Sequence, residues 1–141
     1  MKWSWPWRRE APASVKFSQL GWDVHSHLVP GVDDGAPDVD AALEMVRHMV
    51  SLGYRGMVLT PHIMSDLYPN SPSTLRGPYD NLVRAMQEAG IPMELRLAAE
   101  YLMDADMLRT LKEGDPMTFS CDDGQRAHEV MLMEFGFCLL Y

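Results

Sequence analysis

Two hydrophobic rhythms alternate along the chain. Between Asp38 and Leu52 the apolar residues Val39, Ala42, Leu43, Val46, Met49 and Val50 recur at +3, +4, +7, +10 and +11 from the first. That spacing predicts one face of an amphipathic helix. Asp38 and Asp40 stand where a helix N-terminus favours negative charge, and Gly53 stands where a C-terminal stop belongs. Gly56–Thr60 is instead a continuous apolar run closed by Pro61, the pattern of a strand buried on both faces. The helical rhythm returns at Leu75–Ala89, with Leu75, Tyr79, Leu82, Val83 and Met86 on one face and Gly90 as its stop. Pro78 is compatible only with the first turn of that helix, which leaves its start open. Met93–Ala99 reads as a third strand, Asp104–Glu113 as a short helix capped by Asp104 and stopped by Gly114, and Glu129–Phe135 as a fourth strand. Ahead of them all, Gly21–His27 reads as a short strand running into a loop rich in Pro, Gly and Asp. Asp115–His128 is polar and shows no clear period.

Strands alternating with amphipathic helices predict an α/β fold with a parallel sheet. Four such units are only part of a closed (β/α) barrel, which typically needs ~250 residues. The chain has 141 residues, a formal charge of −8 and 47% hydrophobic residues. This suffices for one core, and the charge argues against nucleic-acid binding. No apolar run approaches the ~20 residues of a membrane span, and Met1–Glu10 lacks the apolar core of a secretory signal. Cys121 and Cys138 have no Cys-x-x-Cys spacing and make no disulfide framework. The expectation is a cytoplasmic protein whose membrane contact is at most peripheral. Residues 1–20, with Trp3, Trp5, Trp7, Arg8 and Arg9, read as a flexible leader ahead of a domain over 21–141, although Trp beside Arg also suits a membrane surface or protein groove. Met45, Met49, Met86 and Met107 fall in helical stretches and read as core filling.

Chemistry concentrates in a few positions. His25 and His27 lie at i and i+2, so on a strand both imidazoles face one way and can reach one metal ion. Asp33-Asp34-Gly35 follows in the next loop, His62 follows the second strand, Glu100 ends the third, and Glu134 lies near the end of the fourth. All sit at or beyond the C-terminal end of a parallel strand, where barrel and open α/β enzymes build their sites. Glu134 follows Val130-Met131-Leu132-Met133, and an acid in such a strand is costly unless paired or metal-bound. His48 and His128 read as surface residues. Imidazole with carboxylate and no thiolate suits Mn²⁺, Fe²⁺ or Zn²⁺. Several carboxylates suggest two or three ions about 3.5–4 Å apart, which suits phosphoester hydrolysis. A cysteine nucleophile is excluded: a Cys-x5-Arg phosphate loop is needed, whereas Cys121 and Arg126 are separated by four residues, two of them acidic.

The block Asp23-Val24-His25-Ser26-His27-Leu28-Val29-Pro30-Gly31-Val32-Asp33-Asp34-Gly35, then Thr60-Pro61-His62, then Ala99-Glu100, resembles the PHP (polymerase and histidinol phosphatase) superfamily. It is most similar to the bacterial manganese-dependent protein-tyrosine phosphatases encoded with capsule and exopolysaccharide genes, as is His62–Tyr68. The resemblance covers about Gly21 to Phe137. It implies a distorted (β/α)7 barrel of which this chain supplies the N-terminal part, and a cluster of Mn²⁺ ions. His25 and His27 would bind one ion, Glu100 would bridge to a second served by Glu134, and Asp34 and His62 would bind a third. It also implies that His25, His27, Asp34, His62 and Glu100 carry catalysis, by a metal-activated hydroxide without a covalent intermediate. The implied substrate is a phosphotyrosine protein, notably the tyrosine kinase of polysaccharide export. Family members continue past this region and supply a further His and a late Asp-x-His pair, so the sequence is expected to be a fragment or a truncated gene and a poor catalyst alone. The alternatives are a phosphoesterase for a small histidinol-phosphate-like monoester and a non-catalytic metal- or partner-binding remnant.

Overall fold

The rhythm over residues 38–52 becomes helix α1, Val39–Leu52, in a computed structural model that describes residues 19–122 and 124–136. The Trp-rich stretch of the leader and Cys138 lie outside the described residues. Asp38 caps α1 by accepting the Ala41 amide at 2.9 Å, and Gly53 closes it at φ 96°, a left-handed conformation that costs glycine little. Helix α2 spans Pro72–Glu88, earlier than the apolar pattern alone indicates. Ser71 and Thr74 form a reciprocal capping box, and Pro72 opens the helix where its missing N–H is no loss. Pro78 therefore lies well inside α2 rather than in its first turn. Burial of Leu75, Leu82 and Met86 on the same helix offsets the backbone hydrogen bond that proline forgoes. Helix α3, Ala105–Glu113, runs from the Asp104 cap to Gly114.

The strands are β1 (Trp22–Asp23), β2 (Gly56–Leu59), β3 (His62–Ile63), β4 (Glu94–Leu97), β5 (Glu100–Leu102), β6 (Phe119–Asp122), β7 (Ala127–Val130) and β8 (Leu132–Glu134). Two parallel sheets, ordered β1-β2-β4 and β3-β5-β8, form one wall. The chain passes from β2 to β3 through Thr60-Pro61 and from β4 to β5 through Ala98-Ala99. Amides bridge those breaks: Thr60 to Ser26 O at 2.8 Å, Ala98 to Leu59 O at 2.9 Å, and Glu100 to Pro61 O at 3.1 Å. Four crossings in sequence order, all parallel and alternating with helices, give the expected α/β barrel wall.

Strand boundaries also differ from the sequence reading. The first strand pairs only over Trp22–Asp23, so His25 and His27 lie beyond the ladder. The third continues past Ala99 into β5. The run Glu129–Phe135 divides: β7 pairs antiparallel with β6, and only β8 joins the wall. The β6–β7 hairpin was hidden because its side chains are exposed apart from Phe119 and Val130, leaving no alternation.

One core lies between the wall and helices α1 and α2, where Met57, Leu59, Val46, Leu82 and Met86 meet. Val58, Ala98 and Phe119 pack on the opposite face of the wall, and Ala99, Tyr101 and Met107 form a third cluster. Met45 is 48% exposed and corrects the reading of that residue as core, while His48 and His128 are exposed as read. No helix among the described residues is long and apolar enough to cross a membrane. Leu82→Ala, at a side chain with no exposure, should lower stability by about 2–5 kcal/mol in urea unfolding.

Candidate metal centre

The bends in the wall bring polar side chains to one edge. The β3–β5 register sets His62 opposite Glu100, and the β5–β8 register sets Glu134 opposite Leu102. The segment from His27 to Gly35 folds back on itself, with the Ala36 amide donating to His27 O at 2.9 Å. Gly35 permits this approach, because a β-carbon there would fall 1.9 Å from that carbonyl oxygen. Asp34 is thereby carried to His62.

All six candidates converge. Glu100 is the hub, with Oε2 3.3 Å from both His27 Nε2 and His62 Nδ1, and Oε1 3.9 Å from His25 Nε2. His62 Nδ1 lies 3.5 Å from Glu134 Oε1, and its Nε2 lies 3.6 Å from Asp34 Oδ1. Three overlapping groups result: His25–His27–Glu100, His27–Asp34–His62 and His62–Glu100–Glu134, each with its candidate ligand atoms within 4.8 Å of one another.

The histidines are held from behind. His25 Nδ1 lies 3.0 Å from Thr60 Oγ1, and His27 Nδ1 lies 2.8 Å from Asp33 Oδ2. The His62 ring stacks on Tyr68, its amide donates to Asp33 Oδ2, and its carbonyl accepts from Asn70 Nδ2. Asp33, Thr60, Tyr68 and Asn70 were not assigned roles from the sequence. Their only signal was adjacency to the ligand motifs, as in Asp33-Asp34 and Thr60-Pro61-His62. The Asp33 hydrogen bond holds His27 above the usual imidazole range against the opposing effect of burial. Burial pushes the Asp33 carboxyl up, but hydrogen bonds from His27, Gly35 and His62 outweigh it and hold the group below the usual carboxylate range.

Two features fit a cation. His62 Nδ1 is buried without a hydrogen-bond partner, although a carboxylate oxygen lies on each side of it. Glu100 is only 7% exposed and faces three imidazole nitrogens without a hydrogen bond of good geometry to any. Buried polar groups left in this way are costly, and a divalent ion among them would satisfy nitrogen and oxygen together. The nitrogen and oxygen donor set is that of Mn²⁺, Fe²⁺ or Zn²⁺.

Comparison with known proteins gives the family. The family model for capsular polysaccharide synthesis, CpsB/CapC, matches residues 21–137. The chain is 32% identical over 99 residues to the tyrosine-protein phosphatase YwqE of Bacillus subtilis (strain 168), covering 66% of this chain and 39% of the relative. It also matches a solved structure from work on YwqE from Bacillus subtilis and CpsB from Streptococcus pneumoniae, described as unique metal-dependent tyrosine phosphatases. The TM-score is 0.67 at 29% identity, over 82% of this chain and 44% of the solved one. The chain thus spans less than half the length of either relative.

Proposed function

The chain belongs to the CpsB/CapC family of capsular polysaccharide synthesis, and from that premise we propose that its acidic and imidazole cluster serves the metal-dependent hydrolysis of phosphotyrosine on proteins. The observation that carries this reading is the buried, unpartnered His62 Nδ1 between two carboxylates. In this reading Mn²⁺ is the resident metal, as two or three ions. His25, His27 and Glu100 would hold one ion, Glu100 and Glu134 a second and Asp34 a third, with His62 offering its one lone pair to the second through Nδ1 or to the third through Nε2. Such ions acidify a water molecule and neutralise the charge of a phosphoryl group.

The protein's own part is orientation. Thr60 and Asp33 occupy the Nδ1 atoms of His25 and His27, which leaves both Nε2 atoms directed at Glu100. Enclosure of His62 and Glu100 keeps their lone pairs from water, so they stay available to a cation. The leaving group is a phenolate, whose conjugate acid is far stronger than that of an alkoxide, so departure makes little demand on a general acid. The proposed natural substrate is the autophosphorylating tyrosine kinase of polysaccharide export.

The test is hydrolysis of a phosphotyrosine peptide beside a histidinol-phosphate-like monoester, with Mn²⁺ and with chelator. Chelator-sensitive turnover favouring the peptide is expected, and preference for the small monoester would replace this reading. Cys121 is exposed on β6, so Cys121→Ser should leave kcat and the metal requirement unchanged. Chelator-resistant turnover lost in that variant would overturn the metal mechanism.

A further inference from the structure

Asp33 belongs to none of the three ligand groups, yet its side chain has no exposure, whereas that of neighbouring Asp34 is 63% exposed. Both of its oxygens are engaged. Oδ1 accepts the Gly35 amide at 3.0 Å, while Oδ2 accepts the His62 amide at 3.1 Å and lies 2.8 Å from His27 Nδ1. These donors come from the three segments that present ligands: the histidine pair, the strand entry at β3, and the loop bearing Asp34.

An ionised carboxylate only accepts hydrogen bonds. Facing one at 2.8 Å, His27 Nδ1 carries the proton, so neutral His27 keeps its lone pair on Nε2. That lone pair points at Glu100 Oε2, 3.3 Å away. Two acceptors in that position repel unless a cation lies near both. We infer that Asp33 is a positioning residue: it fixes the tautomer of His27 and ties the His62 and Asp34 segments into the arrangement that receives a divalent cation. A carboxylate behind a ligating imidazole also raises that ligand's basicity. The inference rests on the metal-centre reading of the same cluster.

Nitrogen-15 NMR of the metal-free chain, at a pH where His27 is neutral, reads the tautomer directly. The wild type should show the proton on Nδ1. Asp33→Leu is of similar size and offers no acceptor, and should release His27 toward the Nε2–H form. Calorimetric titration with Mn²⁺ alone should then show a loss of about 10–100-fold in affinity, with an unchanged circular dichroism spectrum. Asp33→Leu that keeps both the tautomer and the affinity would overturn the inference. If the variant fails to fold, the wild-type spectrum still decides, because an Nε2–H tautomer at His27 would refute it alone. A wild type with the Nδ1–H tautomer that takes up no Mn²⁺ would instead sink the metal-centre reading and leave the hold of Asp33 on His27 standing.

Discussion

On the function proposed above, Glu100→Gln is expected to empty the cluster of metal and reduce phosphotyrosine hydrolysis to background. Glu100 takes part in two of the three ligand groups and faces His25, His27 and His62 at 3.9, 3.3 and 3.3 Å. Glutamine keeps the shape but removes the charge that lets one side chain serve two cations. Loss of an outer-shell partner typically costs 10–100-fold in metal affinity, so loss of a shared ligand should exceed about 100-fold. Mn²⁺ calorimetry and kcat should fall together while the unfolding midpoint stays near that of the wild type. Asp34→Asn removes an exposed member of a single group and should cost less.

Gly35→Ala should cost about 3 kcal/mol of stability, near the upper range for overpacking, and scatter the site as well. The new methyl would lie 1.9 Å from His27 O and 2.4 Å from His27 Cβ. The main chain holding the first ligand pair must therefore yield. Its displacement would break the Ala36-to-His27 hydrogen bond and carry Asp34 from His62. Gly77→Ala is the matching control, since nothing lies within 4 Å of its β-carbon on α2. That change should raise stability by roughly 0.5–1 kcal/mol. Urea unfolding of both variants checks the pair.

What the sequence made legible follows from burial. Helices α1 and α3 each pair an apolar stripe with an aspartate cap and a glycine stop, so composition and position agree. Strand β2 is buried along its whole length, which produced an uninterrupted apolar run. The six ligand candidates could be read because parallel strands all deliver their C-terminal ends to one edge. The β6–β7 hairpin could not, because its side chains face solvent and its turn signal, Asp123-Gly124, is short. Pro78 misled because a local rule about proline gave way to burial on the rest of α2. The hold of Asp33 on the His62 amide crosses 29 residues and that of Asn70 on the Val32 carbonyl crosses 38, and no local pattern encodes those.

The measurement that bears most directly on the central claim is metal stoichiometry. The purified chain, dialysed against Mn²⁺ and analysed by elemental mass spectrometry, should hold two or three ions per molecule, in line with a clustered site, and Glu100→Gln should hold none tightly. A folded wild-type chain that retains less than one ion at saturating Mn²⁺, or a Glu100→Gln variant that retains as many as the wild type, would contradict the assignment of these residues as a metal centre.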